Sequence, residues 1–386
     1  MTTTLAEQLQ RLAVPQTAIY RDDRKRASLL FDPKEAATIS RETVYQIGLE
    51  GLEELIQRNP AFSQFTSNLY NLTSKEFERS MHNAAANQKL DKTVRQFLLL
   101  LSPYFLLSPA HKALEWLIQR FRIHQYNKLD FIMFMLPYHE SNIFVKALQL
   151  VPIDDRNNVW LWLKPLQKKG IHLPKQTLYV HAGSNPNFLY NLSNFVLSAI
   201  RENKNPSVLT TLFNFYSTTI TGALQHSEVV RESQITQILK ILLKGTKSSV
   251  PDFCAGTYII IAKLVSKCVI SNDLLSRFIT NVSLVPVTRL RTEATLLTII
   301  VYQTQRQFTF MPDEAITNFL KHKWISKLLK ELNVTNNYIS PFLEAFFKGL
   351  IAAALTKDDF EDGRVLLDEL LGELKLDDGF VVKIIK

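Results

Sequence analysis

The apolar residues of this chain recur at spacings of three and four, and this periodicity constrains the fold more than any other feature of the sequence. In several segments they stand at offsets 0, 3, 4 and 7, which places them on one face of an α-helix. Segments with this spacing lie at residues 114–121, 235–242, 261–268 and 367–374. The alternation of apolar and polar residues that strands would show is nowhere sustained. The sequence therefore predicts an all-α fold.

The composition limits how so many amphipathic helices can be arranged. Of the 386 residues, 46% are hydrophobic and only 11 are glycine, so a large core is available but glycine-rich loops are not. We count roughly seventeen or eighteen helices, more than a closed bundle usually holds. Stacked antiparallel helix pairs of about 40 residues, as in a HEAT/armadillo-like α-solenoid, accommodate them. Because no Gly-, Ser- or Pro-rich linker interrupts the sequence, we expect one continuous domain over residues 1–386.

Two local signals predict how particular helices begin and pack. Ser108 precedes Pro109, which predicts a helix that starts there with the Ser108 hydroxyl as its N-cap. Gly48 and Gly51 lie on the apolar stripe of a helix around residues 44–56. Because glycine has no side chain, we expect a neighbouring helix to approach closely at these two positions.

No motif of an enzyme is complete in the sequence. His139-Glu140 resembles the start of a zinc-binding helix, but Ile143 occupies the position of the second histidine. Residues 245–248 read Gly-Thr-Lys-Ser, without the order or the preceding strand of a phosphate-binding loop. The eight histidines and two cysteines are not grouped at metal-ligand spacing. A Ser-His-Asp triad can assemble from distant residues, but no Gly-x-Ser-x-Gly elbow supports one. We expect a protein that is not an enzyme and has no catalytic residues, metal or cofactor.

The net charge of +9 favours an acidic partner such as RNA without identifying one. Two basic stretches also contain aromatic residues, a combination that holds single-stranded nucleic acids. The first consists of Trp116, Arg120, Phe121, Arg122, His124, Tyr126 and Lys128. The second lies within residues 156–201, a range without Asp or Glu, and contains Trp160 and Trp162. Candidate residues for binding RNA or an acidic subunit tail are Arg156, Lys164, Lys168, Lys169 and Lys175. Aromatics at helical spacing are more often core residues, so core packing is the favoured interpretation of the aromatics. For the lysines, a solvated or partner-facing surface is favoured over a nucleic-acid contact.

Several short blocks of sequence resemble one known family in their order and spacing. They are Leu-Phe-Asp-Pro-Lys-Glu-Ala-Ala-Thr-Ile at 30–39, Leu-Ser-Pro-Tyr-Phe-Leu-Leu at 101–107, Leu-Glu-Trp-Leu-Ile at 114–118 followed by Arg120-Phe121 and Ile123-His124, and Leu-Pro-Tyr-His-Glu at 136–140 followed by Ile143-Phe144-Val145. With the opening residues 5–12, they resemble the large HEAT-repeat protein of the small-subunit processome. This family is called HEAT repeat-containing protein 1 in animals and U3 small nucleolar RNA-associated protein 10 in yeast. The resemblance is specific over residues 1–151 and rests mainly on helix pattern beyond them.

The resemblance implies a non-catalytic scaffold in ribosome biogenesis, located in the nucleolus of the nucleus. Family members are several times longer, so the chain is expected to be the N-terminal part of such a protein. The resemblance also implies that the protein belongs to the early-binding subcomplex, which engages the 5′ external transcribed spacer of pre-ribosomal RNA. There it would support 18S rRNA maturation and RNA polymerase I transcription. The implied partners are WD-propeller and helical subunits, and pre-rRNA or the U3 ribonucleoprotein directly or indirectly, with no membrane and no small-molecule substrate.

An alternative function is that of a nuclear-transport-receptor-like HEAT protein that binds a small GTPase and cargo. Such receptors tend to be acidic, whereas this chain carries +9. The charge therefore favours the scaffold over the transport receptor.

Overall fold

The computed structural model of the chain describes residues 25–153, 159–203, 205–334, 338–356, 361–374 and 384. Within these ranges all regular structure is helical and no strand occurs, which confirms the all-α prediction. The α-helices are α1 (Pro33–Thr38), α2 (Arg41–Arg58), α3 (Ala84–Leu101), α4 (Ser108–Phe121), α5 (Ile123–Tyr126), α6 (Lys128–Met135), α7 (Asn142–Leu150), α8 (Lys164–Lys169), α9 (Lys175–Ser184), α10 (Pro186–Glu202), α11 (Thr210–His226), α12 (Glu232–Gly245), α13 (Pro251–Lys267), α14 (Asn272–Ser283), α15 (Arg291–Thr304), α16 (Asp313–Leu320), α17 (Ile325–Val334), α18 (Ser340–Thr356) and α19 (Glu361–Glu373). Short 3-10 helices occur at Pro60–Phe65, Leu72–Glu76, Arg79–Met81, Ser102–Tyr104, Leu136–Tyr138, Leu161–Leu163, Pro206–Leu209 and Thr288–Leu290. None of the described helices combines the length and the apolar content needed to cross a bilayer.

Local sequence accounts for several helix starts. The side chain of Asp32 accepts a hydrogen bond from the backbone N–H of Lys34 and caps α1, and that of Ser40 accepts one from Thr43 and caps α2. At α4 the predicted cap is wrong: Ser108 is the first residue of the helix, and Leu107 occupies the cap position without a side-chain hydrogen bond. The Leu107 carbonyl accepts the first hydrogen bonds of the helix, from the N–H of Ala110 at 3.0 Å and from the N–H of His111 at 3.3 Å.

Packing divides the chain into two compact units, which we describe separately. Unit 1 comprises Met1–Lys175 and Ala199–Leu212, and unit 2 comprises Gln176–Ser198 and Phe213–Lys386. The prediction of one continuous domain over residues 1–386 stays a prediction.

In unit 1 the principal contact joins α2 and α4, and α3 packs against α6. The two predicted glycines make the first contact possible. A Cβ atom on Gly48 would lie 2.4 Å from the Cβ of Trp116, and one on Gly51 would lie 2.6 Å from the carbonyl oxygen of Pro109. The expected close approach of a neighbouring helix at Gly48 and Gly51 is therefore confirmed.

From α12 onwards, the helices of unit 2 contact sequence neighbours and helices two or three positions away in the chain. The helices α12, α14 and α16 are joined in one series of contacts, and α13, α15 and α18 are joined in a second. Contacts between consecutive helices, such as α12 with α13 and α14 with α15, connect the two series. Two layers of helices stacked in this way form an α-solenoid, and the predicted fold class is confirmed.

Candidate interaction surfaces

The lysines that the sequence singles out lie around one short helix of unit 1. Lys164 begins α8, Lys168 and Lys169 end it, and Lys175 begins α9. Arg156, the fifth candidate, lies outside the residues that the structure describes. Since Lys164 and Lys168 are one helical turn apart, they share a face of α8.

The four described lysines differ in exposure and in partners. Lys168 and Lys169 are exposed, and Lys164 is half-buried. The ammonium of Lys175 lies 3.2 Å from a carboxylate oxygen of Glu140, and both side chains are more than half exposed. An exposed ion pair of this kind is worth about 0–1 kcal/mol, so it leaves Lys175 able to exchange partners. The positive surface is therefore centred on the last turn of α8.

The first basic stretch divides between core and surface. Trp116 is buried and donates its Nε1–H to the Leu69 carbonyl at 2.9 Å. Phe121 and His124 are also buried, and burial followed by the nearby Arg122 lowers the pKa of His124 to about 4. These three side chains belong to the core and cannot stack on a nucleic acid. Tyr126, by contrast, is 56% exposed.

Arg120 and Arg122 of this stretch border a cavity of about 390 Å³ in unit 1. Three further arginines line the same cavity: Arg26, Arg41 and Arg79. The sequence candidates did not include them, because they are distant from Arg120 along the chain and no spacing connects them. Only the fold of unit 1 brings the five guanidinium groups together.

The sequence blocks of the family resemblance contact one another within unit 1. The carboxylate of the fully buried Glu115 accepts hydrogen bonds from the backbone N–H groups of Leu29 and Leu30, at 2.7 and 3.1 Å. Tyr138 donates its hydroxyl hydrogen to the Ser102 carbonyl. The contacts of Leu30 and of Tyr138 each join two blocks that are far apart in sequence.

The histidine of the incomplete zinc motif has a structural partner. A ring nitrogen of the buried His139 contacts the Leu173 carbonyl, and the Leu173 N–H donates to the His139 carbonyl at 3.1 Å. Burial lowers the pKa of His139. Among the described residues, no three His, Cys, Asp or Glu side chains are grouped so that they could hold a metal ion.

Comparison with known proteins gives consistent matches. A sequence profile of the family described as U3 small nucleolar RNA-associated protein 10 matches residues 234–350, where the sequence blocks were weakest. The HEAT repeat-containing protein 1 homolog of Drosophila melanogaster is 38% identical over 380 residues, which cover 97% of this chain and 18% of that protein. HEAT repeat-containing protein 1 of Homo sapiens is 44% identical over 277 residues, which cover 70% of this chain and 13% of that protein.

A fungal relative extends the match. The U3 small nucleolar RNA-associated protein 10 of Aspergillus niger is 33% identical over 292 residues, which cover 71% of this chain and 16% of that protein. The chain thus spans less than a fifth of the length of these curated relatives. The printed names describe a repeat protein and an RNA-associated protein, and neither is the name of an enzyme.

Proposed function

The chain belongs to the family of HEAT repeat-containing protein 1 and U3 small nucleolar RNA-associated protein 10, and from this premise we propose that it is a non-catalytic scaffold segment in ribosome biogenesis. The observation that carries the proposal is the match itself, which extends over nearly the whole chain to relatives named for a repeat fold and for association with U3 small nucleolar RNA. The proposed location is the nucleolus within the nucleus.

In this function the helices dock other protein subunits of the early pre-rRNA processing subcomplex. The partners would be WD-propeller and helical subunits, bound while the complex engages the 5′ external transcribed spacer and matures 18S rRNA, with support of RNA polymerase I transcription. A stack of helix pairs presents many faces on which partners can bind side by side. Leu106 supports the docking function, because it lies in a family block and yet is 56% exposed.

The test is recovery of partners by the tagged 386-residue chain expressed in cells. Co-purification of WD-propeller subunits and of U3 small nucleolar RNA, the latter lost after ribonuclease treatment, is the expected result. Recovery of a small nuclear-transport GTPase with its cargo, and no U3 RNA, would contradict the scaffold function and support that of a transport receptor. A tagged, unrelated α-solenoid expressed at the same level controls for nonspecific capture.

For the lysines around α8, the proposed role is attraction of RNA or of an acidic subunit tail. Lys168 and Lys169 carry the argument because both are exposed on a segment without carboxylates of its own. Lys164, Lys175 and Arg156 extend the same basic segment along the chain.

Changing Lys164, Lys168, Lys169 and Lys175 together to Glu should weaken RNA binding by the purified chain. Each lost phosphate contact should also remove roughly 0.7–0.9 from the slope of log affinity against log salt. Filter binding of a 5′ external transcribed spacer RNA over a series of salt concentrations measures both quantities.

The matched control changes four exposed lysines of unit 2 to Glu: Lys240, Lys244, Lys323 and Lys327. It alters the net charge without touching the proposed surface, so only the nonspecific part of the affinity should fall. If the α8 variant keeps the wild-type affinity and slope, the lysines serve solvation alone.

A further inference from the structure

We propose that the arginine-lined cavity of unit 1 binds an acidic side chain from a peptide segment of a protein partner. The identification of the partner as a protein rests on the proposed scaffold function. The chemistry of the site rests on the cavity itself.

The cavity has an excess of positive charge. Glu78 is the only carboxylate residue among its described lining, against five arginines. Two of the arginines have carboxylate partners nearby: Arg79 contacts Asp91 at 2.7 Å, and Arg41 contacts Glu76 at 3.4 Å. The other three form no ion pair with any residue that the structure describes; they are Arg26, Arg120 and Arg122. Since the five guanidinium groups outnumber the carboxylates of Glu76, Glu78 and Asp91 beside them, an anion that enters the cavity is stabilised there.

Backbone carbonyls hold the inner guanidinium groups in place. Arg120 donates its Nε–H to the Ser74 carbonyl at 3.0 Å and a second N–H to the Phe77 carbonyl. Arg79, whose side chain is 9% exposed, donates its Nε–H to the Phe121 carbonyl at 3.0 Å. These bonds leave further N–H donors on both groups, because each guanidinium has five. The donors are therefore positioned before a ligand binds, which lowers the entropic cost of binding.

Arg122 stands in the left-handed region at the end of α4. Its φ is 49°, it is exposed, and it separates α4 from α5. Burial, followed by repulsion from Arg41, lowers the pKa of Arg120; the carboxylates of Glu78 and Glu76 oppose this shift, and repulsion from Arg122 adds to it. The exposed guanidinium of Arg122 lines the same cavity as the guanidinium groups of Arg79 and Arg120. A carboxylate between them can therefore accept hydrogen bonds from both sides.

The surroundings favour a peptide carboxylate over a nucleic-acid backbone. Glu78 lines the cavity, and Glu76, whose side chain is 82% exposed, lies beside Arg41. A strand of RNA carries a phosphate at every nucleotide and would bring neighbouring charges against these two carboxylates. A peptide can place one acidic residue in the cavity between uncharged neighbours. Tyr126, held under Arg79 with 4.6 Å between the guanidinium carbon and the ring centroid, offers an apolar face for such a neighbour.

The probe is a library of random peptides displayed on phage and selected on the purified 386-residue chain. We expect the selected peptides to share an Asp or Glu, with an apolar residue close to it. The strongest peptide is then synthesised, and its affinity is measured by fluorescence anisotropy.

Arg122→Asn, which suits the left-handed backbone, and Arg26→Gln should each weaken binding at least about tenfold, as expected for a lost charge-assisted hydrogen bond. Arg58→Gln, at an exposed arginine of unit 1 outside the cavity, should leave it unchanged.

Glu78→Gln tests the opposite direction. It removes the one carboxylate among the described residues that line the cavity, so it should tighten peptide binding several-fold. Selection of peptides without a common acidic residue, or affinities that Arg122→Asn does not change, would overturn the proposal. A labelled oligouridylate whose affinity Arg122→Asn lowers, in the absence of acidic peptides, would assign the cavity to RNA instead. These measurements use the purified chain, so they are independent of whether U3 RNA is recovered from cells and of the scaffold function itself.

Discussion

At the scale of single residues, Glu115 shows how one buried carboxylate can hold a family block in place. It is fully buried, and its Oε2 accepts from Leu29 and Leu30. Glu115→Ala leaves both N–H groups without their acceptor, and each such loss costs about 1–3 kcal/mol. We therefore expect the midpoint of urea unfolding of unit 1 to fall and hydrogen exchange at residues 28–31 to accelerate.

Glu53→Ala is the matched control, because Glu53 is an exposed carboxylate of α2 in the same unit. It should change neither measurement. Equal effects of the two substitutions would show that the Glu115 hydrogen bonds contribute nothing specific to the attachment of residues 28–31.

The arginine cavity shows which part of a site the sequence can predict. Arg120 and Arg122 are near each other in the chain and stand beside aromatics, so a local pattern indicates them. Arg26, Arg41 and Arg79 reach the cavity from three other segments, and no local pattern connects segments that only tertiary packing brings together. The favoured core packing of Trp116 is confirmed, because aromatics at helical spacing are usually buried, whereas no local pattern indicated that His124 is buried as well.

At the scale of helices, the contact between α2 and α4 depends on Gly51. A Cβ at this position would lie 2.6 Å from both the Lys112 Cβ and the Pro109 carbonyl oxygen, and 2.8 Å from the Ala113 nitrogen. Two of these atoms are backbone, so the helices must separate to relieve the overlap. Gly51→Ala should destabilise unit 1 by about 1–3 kcal/mol, measured as a lower midpoint of urea unfolding followed by circular dichroism.

The control for this prediction is Gly372→Ala in α19, where an added Cβ meets no atom within 4 Å. There the substitution should stabilise the helix by roughly 0.5–1 kcal/mol, because alanine has the higher helix propensity. If Gly51→Ala is as harmless as Gly372→Ala, the close approach of α2 and α4 does not constrain the unit.

Helices and their contacts differ in how far the sequence determines them. The position of a helix follows from local spacing, and the predicted stripes at 114–121, 235–242 and 261–268 fall within or at the ends of α4, α12 and α13. Helix ends are less certain, because a carbonyl such as that of Leu107 can begin α4 without the predicted Ser108 cap. Contacts between helices are mostly not predictable from local sequence. The contact at Gly48 and Gly51 is an exception, because a missing side chain on an apolar stripe itself predicts a close neighbour.

At the scale of the whole molecule, two buried and two half-buried histidines make stability depend on pH. Burial is the main cause that lowers the pKa in each case, and the histidines concerned are His111, His124, His139 and His181. In the unfolded chain a histidine has a pKa of about 6.5. Between this value and the lower folded value the unfolded state binds more protons, so stability is highest above pH 6.5 and falls on acidification. Asp130, whose pKa burial raises, opposes this fall as the pH approaches the range of carboxylates.

His124 allows a quantitative test of this dependence, because its folded pKa of about 4 lies well below the unfolded value. Between pH 7 and pH 5 this one group should lower the free energy of unfolding by roughly 2 kcal/mol. His124→Gln removes the titration, so the variant should lose less stability than the wild type over this interval when urea unfolding is followed at both pH values. His226→Gln, at an exposed histidine, should keep the wild-type dependence. An identical dependence in the His124 variant would show that His124 is not the group that acid titrates, and would leave His111, His139 and His181 to account for any loss. Since His111, His124 and His139 all lie in unit 1, while His181 lies in unit 2, acid should weaken unit 1 before unit 2.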